Sequence, residues 1–171
     1  QLPFLFNSNQ ELDNTRAELD GWFQEKFNKE GYQLTGWGDV GYTYFFSQHE
    51  IRVPKDLAKG KMWVWSDPMV EAIAEYAGAS PTKLGLPDVL PSLTTGLIDV
   101  VYASPLAALS LQWANHAKYI ESLPWSIGIG AAVVRKSVFD ELTEEERKIF
   151  DGVNQAWMPK LLKRTRGDNK K

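Results

Sequence analysis

The sequence has no cysteine, which removes disulfides, thiolate metal sites and a cysteine nucleophile in one step while leaving the compartment open. Histidine is nearly as scarce. The two present, His49 and His116, sit in unrelated segments without ligand-spaced partners, so neither a metal centre nor a histidine acid–base pair is predicted. An excess of charge is missing too. Nineteen Lys and Arg residues face 22 Asp and Glu, for a net charge of −3, which suits neither an acidic disordered chain nor a nucleic-acid-binding one. The basic cluster Lys160, Lys163, Arg164, Arg166, Lys170 and Lys171 reads as a solvated helix end. No apolar run reaches the length of a membrane span, and no glycine loop is present to cradle phosphate. Ser126 and Ser137 lack the glycine frame of a nucleophile elbow, and Glu144, Glu145 and Glu146 are explained by the positive end of a helix. With no acid, base and nucleophile brought together, no enzyme is expected, and neither cofactor nor metal is predicted.

What remains is a globular domain: 43% of the 171 residues are apolar, enough for a sizeable core. Residues Gln1 to Phe6 lack the basic start and cleavage site of a signal peptide, so a signal on an exported form would lie upstream. The apolar Leu2–Phe6 stretch looks like one that earlier sequence would cover. Leu12, Thr15, Leu19, Trp22, Phe23 and Phe27 recur at helical spacing, predicting a helix over 9–29 with Asn7 or Ser8 as cap and Gly31 closing it. Tyr32–Trp37 and Tyr42–Phe46 read as two strands around a turn at Gly38-Asp39-Val40-Gly41. Lys61–Ser66 reads as a buried strand running into a helix capped by Asp67, with Pro68 in its first turn. The same grammar repeats at Leu84–Leu86 before Asp88, and at Leu97–Ala103 before Ser104-Pro105 and a helix through Trp113. Strand and capped helix, three times over, predict an α/β fold with a parallel-rich sheet. A strand over Ile127–Val134 and a short helix over Ser137–Leu142 follow. Thr143 and Glu146 then form a capping box for a long helix whose buried stripe is Ile149, Phe150, Val153, Trp157 and Leu161, kinked at Pro159.

Aromatic side chains crowd the strand ends. In an open α/β sheet ligands lie beyond the carboxyl ends of the strands, where Trp65, Ser66, Tyr102 and Ser104 emerge. Trp63 and Trp65 share one face of their strand. The candidate binding set is Trp63, Trp65, Tyr102, Ser104, Trp37, Asp39, Tyr42 and Asp67; each aromatic taken alone is more readily a core residue, and Asp67 more readily a cap.

The motif Ile51-Arg52-Val53-Pro54-Lys55-Asp56-Leu57-Ala58-Lys59-Gly60-Lys61-Met62 resembles the proline, Asp-Leu and Lys-Gly approach to the ligand-site strand in DctP-like solute-binding proteins of TRAP transporters (tripartite, ATP-independent). Gly78-Ala79-Ser80-Pro81, Pro87-Asp88-Val89, Leu93-Thr94-Thr95-Gly96-Leu97-Ile98-Asp99, Ser104-Pro105-Leu106 and Lys118-Tyr119-Ile120 resemble that family's later landmarks in the same order, from Leu2-Pro3-Phe4 to Asn169. The resemblance implies a two-lobe periplasmic-binding-protein-like fold, here incomplete at both ends. Residues 1–41 would belong to lobe I with a crossing strand, 42–124 to most of lobe II, and 125–171 to a return strand and the long C-terminal helix. It also implies an extracytoplasmic, periplasmic receptor that closes over a small-molecule ligand and delivers it to TRAP membrane subunits. Most of the family holds a carboxylate with an arginine on the strand after the Lys-Gly turn, and here that position is Trp63. A second common arginine falls at about Thr43, and the usual asparagine is Ser104. Arg52 is the sole arginine from Tyr32 to Trp125. The expected ligand is therefore neutral, apolar or cationic, a cation resting on the faces of Trp63, Trp65 and Tyr102 with Asp67 or Asp39 as counter-charge. Two alternatives stand beside it: an organic acid held by groups other than arginine, and a module that docks other proteins and no longer transports. Self-association through uncovered apolar surface is a further expectation.

Overall fold

The computed structural model describes residues 2–170. In chain order the elements are α1 (Asn9–Lys29), β1 (Tyr32–Ser47), β2 (Lys61–Val64), α2 (Pro68–Tyr76), β3 (Ser80–Lys83), α3 (Leu86–Thr95), β4 (Val100–Ala103), α4 (Pro105–Ser110), β5 (Tyr119–Ile120), β6 (Ser126–Arg135), α5 (Lys136–Asp140) and α6 (Glu144–Asp168). They divide into two compact units. The first holds residues 2–5 and Tyr42–Gly128; the second holds Phe6–Gly41 and residues 129–170.

In the first unit the strands run in the order β3-β2-β4-β1-β5. β2 lies parallel to β3 and β4, as the repeated strand-and-helix grammar predicts, while β1 lies antiparallel to β4 and β5. β2 is central, and its Met62, Trp63 and Val64 are almost wholly inaccessible, as a strand covered on both faces requires. The caps fall where expected: Asp67 accepts from the Met69 amide at 2.9 Å, and Ser104 from the Ala107 amide at 3.3 Å. Three details differ. The strand expected at Leu84–Leu86 is instead β3, four residues earlier. Pro81 is tolerated there because β3 ends the strand order, and an edge strand needs no second row of amide donors. Gly85 takes the cap position of α3 and Asp88 falls inside its first turn. The helix expected through Trp113 stops at Ser110, and after a left-handed Gln112 (φ 62°) a separate 3-10 turn over Trp113–His116 drops the Trp113 ring into the core.

The second unit contains α1, the opening half of β1, the closing half of β6, α5 and α6. Ser8 caps α1 by accepting from the Glu11 amide, and Glu11 in turn accepts from the Asn7 amide. The turn expected at Gly38–Gly41 is absent: β1 runs through it unbroken. Two glycines shape this part of the strands, Gly41 and Gly130. Gly41 adopts φ +113°, and the backbone at Gly130 comes so close to Gly38 that a Cβ on Gly130 would sit 2.9 Å from the Gly38 carbonyl oxygen. The capping box on α6 is present, with Thr143 accepting from the Glu146 amide and the Glu146 carboxylate accepting from the Thr143 amide. Pro159 lies inside α6 without ending it. The stripe expected to be buried is not. Ile149, Val153, Trp157 and Leu161 are each more than half exposed, whereas Phe150, Asn154, Met158, Leu162 and Arg166 are partly covered. The period was right and the phase was off by one residue, about 100° around a helix, because both neighbouring rows carry apolar side chains.

Candidate functional site

β2 and β4 bring Trp63, Trp65 and Tyr102 of the first unit together. Trp63 is 1% exposed and its indole Nε1–H donates to the Leu84 carbonyl at 3.1 Å. Its ring stacks on Tyr102 with centroids 5.1 Å apart, and it meets Trp113 edge-on and Trp65 at a tilt at the same separation. Trp63 is thus the hub of an aromatic cluster rather than its surface. Trp65, at 42% exposure, is the outward face. The cluster continues inward: Tyr102 meets Trp125 edge-on at 5.2 Å, and Trp125 stacks on Phe45 at 5.3 Å.

Two polar hydrogens in this cluster have no acceptor among the described residues: the Trp125 Nε1–H, and the Tyr102 O–H, whose oxygen is approached by the Trp65 backbone amide as a donor. Burial pushes the Tyr102 phenol up to about 12, the neighbouring Trp65 backbone amide pulls the other way and Asp67 adds slightly to the rise. Tyr102 therefore keeps its proton at any physiological pH. Trp125 was not among the residues the sequence pointed to. It stands just before β6 in a stretch without alternation, and only its register beside Thr43, whose carbonyl accepts the Trp125 backbone amide at 3.1 Å, brings it to Tyr102. Thr43 spends its own hydroxyl on the Ser126 hydroxyl at 2.6 Å. Ser104 is fully buried and occupied with capping α4; Tyr42 is half-buried on β1. Arg52, the arginine of this unit, is exposed and bonded to Glu50 at 2.8 Å.

Trp37 and Asp39 belong to the second unit. Trp37 is half-buried, with the Arg16 guanidinium 5.2 Å above its ring centroid and Phe23 edge-on at 4.9 Å. Beside it lies a cavity of about 600 Å³ lined by Arg16, Gln33, Thr35, Trp37, Asn154 and Met158 among others. Asp39, with a side chain 1% exposed, has each carboxylate oxygen on a guanidinium. Arg16 donates to Oδ1 at 2.6 Å, and Arg166 donates to Oδ2 through both Nε and a terminal nitrogen at 2.8 and 2.6 Å. Arg166 also grips Asp13 with two bonds of 2.7 Å. Asp39 is matched by two cations, whereas Asp67 caps α2 through one oxygen and keeps its charge beside Tyr102. Among the described residues no group of three or more His, Asp or Glu side chains is placed to hold a metal ion, and no helix is long and apolar enough to cross a membrane.

The chain matches the family model DctP, bacterial extracellular solute-binding protein, family 7, over residues 1–170. A curated solute-binding protein from Chromohalobacter salexigens is 26% identical over 155 residues, covering 86% of this chain and 44% of its own length. Among solved structures, a TRAP periplasmic solute-binding protein from Sulfitobacter sp. NAS-14.1 with bound β-D-galacturonate is 23% identical. It superposes with a TM-score of 0.92 over 98% of this chain and 56% of that one. A TRAP periplasmic protein from Pseudomonas aeruginosa PAO1 with bound L-malate is 14% identical and reaches the same TM-score over 99% and 59%. An extracytoplasmic solute receptor from Bordetella pertussis binding pyroglutamic acid is 20% identical, with a TM-score of 0.90 over 99% and 56%. These structural likenesses establish the mixed α/β fold, and the chain spans about half the length of the relatives it matches. Landmark motifs, parallel-rich sheet and family match agree: the chain belongs to the DctP family of extracytoplasmic solute-binding proteins.

Proposed function

We propose that the protein is the solute-binding subunit of a TRAP-type transporter, capturing a small uncharged, largely apolar ligand on the aromatic cluster of the first unit and passing it to membrane subunits. One observation carries this reading. The strand position where the resemblance expects a ligand-binding arginine holds Trp63, buried and hydrogen-bonded to Leu84, and the first unit's arginine is paired with Glu50. A carboxylate on such a surface would lose its hydration without gaining a cation, a cost of several kcal/mol. A cation has one carboxylate near the cluster, Asp67, which also caps α2; Asp39 is matched by Arg16 and Arg166. What the cluster does offer is ring surface at Trp65, with binding energy from aromatic burial. A second reading, an organic acid held by neutral donors, draws on the galacturonate, malate and pyroglutamic acid seen in the solved relatives.

The test is calorimetric titration with matched pairs that differ in charge: pyroglutamic acid against 2-pyrrolidinone, and galacturonate against galactose. Uncharged members are expected to bind and acids to fail, with Trp65→Ala weakening binding about tenfold through lost aromatic contact. Acids that bind at least as well as their uncharged partners would favour the second reading.

A further inference from the structure

We propose that Tyr102 Oη–H and Trp125 Nε1–H are the polar recognition groups of this site and that they take one uncharged acceptor oxygen of the ligand, a carbonyl such as that of a lactam, lactone or ketone. The inference rests on the reading that the first unit's aromatic cluster is the ligand site, and adds to it the chemistry that the ligand must carry.

Both residues are 4% exposed, and both bury a donor hydrogen without an acceptor among the described residues, the Tyr102 oxygen being approached only by a donor, the Trp65 backbone amide. Buried donors are nearly always satisfied, because stripping water from one without replacing the bond is costly. Here two such donors occur on rings in direct contact, 5.2 Å between centroids, in the cluster whose outer face is Trp65. Trp125 is fixed by stacking on Phe45, and Phe45 is the residue directly opposite Tyr102 in the β1–β4 ladder, so both donors are held on a rigid frame. An indole is a donor only, and a phenol that keeps its proton has one to give. The high pKa of Tyr102 keeps it in that state. Two neutral donors match the two lone pairs of a carbonyl oxygen. They do not supply the charge-assisted bonds that a desolvated carboxylate needs.

The donors are removed one at a time without changing shape, by Tyr102→Phe and by 3-benzothienylalanine incorporated at position 125, which keeps the bicyclic ring and loses only the N–H. Each variant is assayed for unliganded thermal stability and titrated with a set of five- and six-membered lactams and lactones and the corresponding carboxylic acids. Unliganded stability is expected to stay the same or rise, since an unsatisfied group has been deleted, while lactam and lactone affinity falls about tenfold per donor. Loss of unliganded stability with unchanged affinity would show that the donors serve a buried water, and would overturn the proposal. Binding confined to the acids would overturn it as well. Failure of the underlying reading has a different signature, in which Trp65→Ala also leaves every measured affinity untouched.

Discussion

Replacing Trp63 with alanine is expected to lower the stability of the protein by about 3–5 kcal/mol, the range for deleting a large aromatic from a core. Trp63 is 1% exposed and contacts three further aromatics, Trp65, Tyr102 and Trp113. Truncation leaves a cavity at the hub of the cluster, which the flanking rings can fill only by leaving their edge-on and stacked arrangements. It also strips the Leu84 carbonyl of its indole donor, adding an unsatisfied acceptor to the cavity. Urea unfolding followed by tryptophan fluorescence and far-ultraviolet dichroism measures the loss. A decrease below about 1 kcal/mol would mean that the ring is not packed as described, since surface-like substitutions fall in that range.

Asp39→Ala is the second large effect, a loss of about 3–5 kcal/mol, because removing one member of a buried ion network strands the others. Arg16 and Arg166 have side chains only 10% and 19% exposed, so neither recovers its hydration easily. Arg166 would retain Asp13, its strongest partner, whose hydrogen bonds hold the guanidinium pKa above its ordinary value. Arg16 would keep only a 3.7 Å contact with Asp13 and the face of Trp37. Asp13 itself is held below its ordinary 3.8, above all by the hydrogen bond from Arg166, which outweighs the opposing effect of burial, with the charges of Arg166 and Arg16 adding smaller reductions. A carboxylate depressed in the folded state stabilises above its unfolded pKa. The Asp13 contribution is therefore complete at neutral pH and fades as the pH falls below 3.8. The Asp39→Ala deficit is measured at neutral pH by the same denaturant titration. A deficit below about 1 kcal/mol there would mean that the two arginines find water readily and that the network is not buried.

Local signals in the sequence carried through where they were chemically specific. Asp67-Pro68, Ser104-Pro105 and the Thr143–Glu146 box each start a helix as read, because a cap is decided by residues within one turn of it. Signals that depend on distant partners did not. Asp39 sits in a Gly-Asp-Val-Gly stretch that looks like a turn, yet Arg166, 127 positions away, makes it a buried strand residue. The stripe on α6 was misphased because its apolar residues occupy two adjacent rows, and only tertiary contacts distinguish which row is covered. The rings of Trp63 and Trp65 do lie together, but their exposures could not be separated without the 3-10 turn whose Trp113 packs on the first. Trp125 carried no local signal at all, since its significance lies in a missing hydrogen bond.

We propose that the protein takes an uncharged ligand through aromatic surface and neutral donors. Native mass spectrometry of the protein purified from a bacterial periplasm, followed by organic extraction and identification of the bound small molecule, tests it most directly. The bound compound is expected to be neutral and to bear at least one carbonyl oxygen. A bound uronate, malate or other carboxylate would contradict it, and would show that a carboxylate is taken without an arginine at position 63.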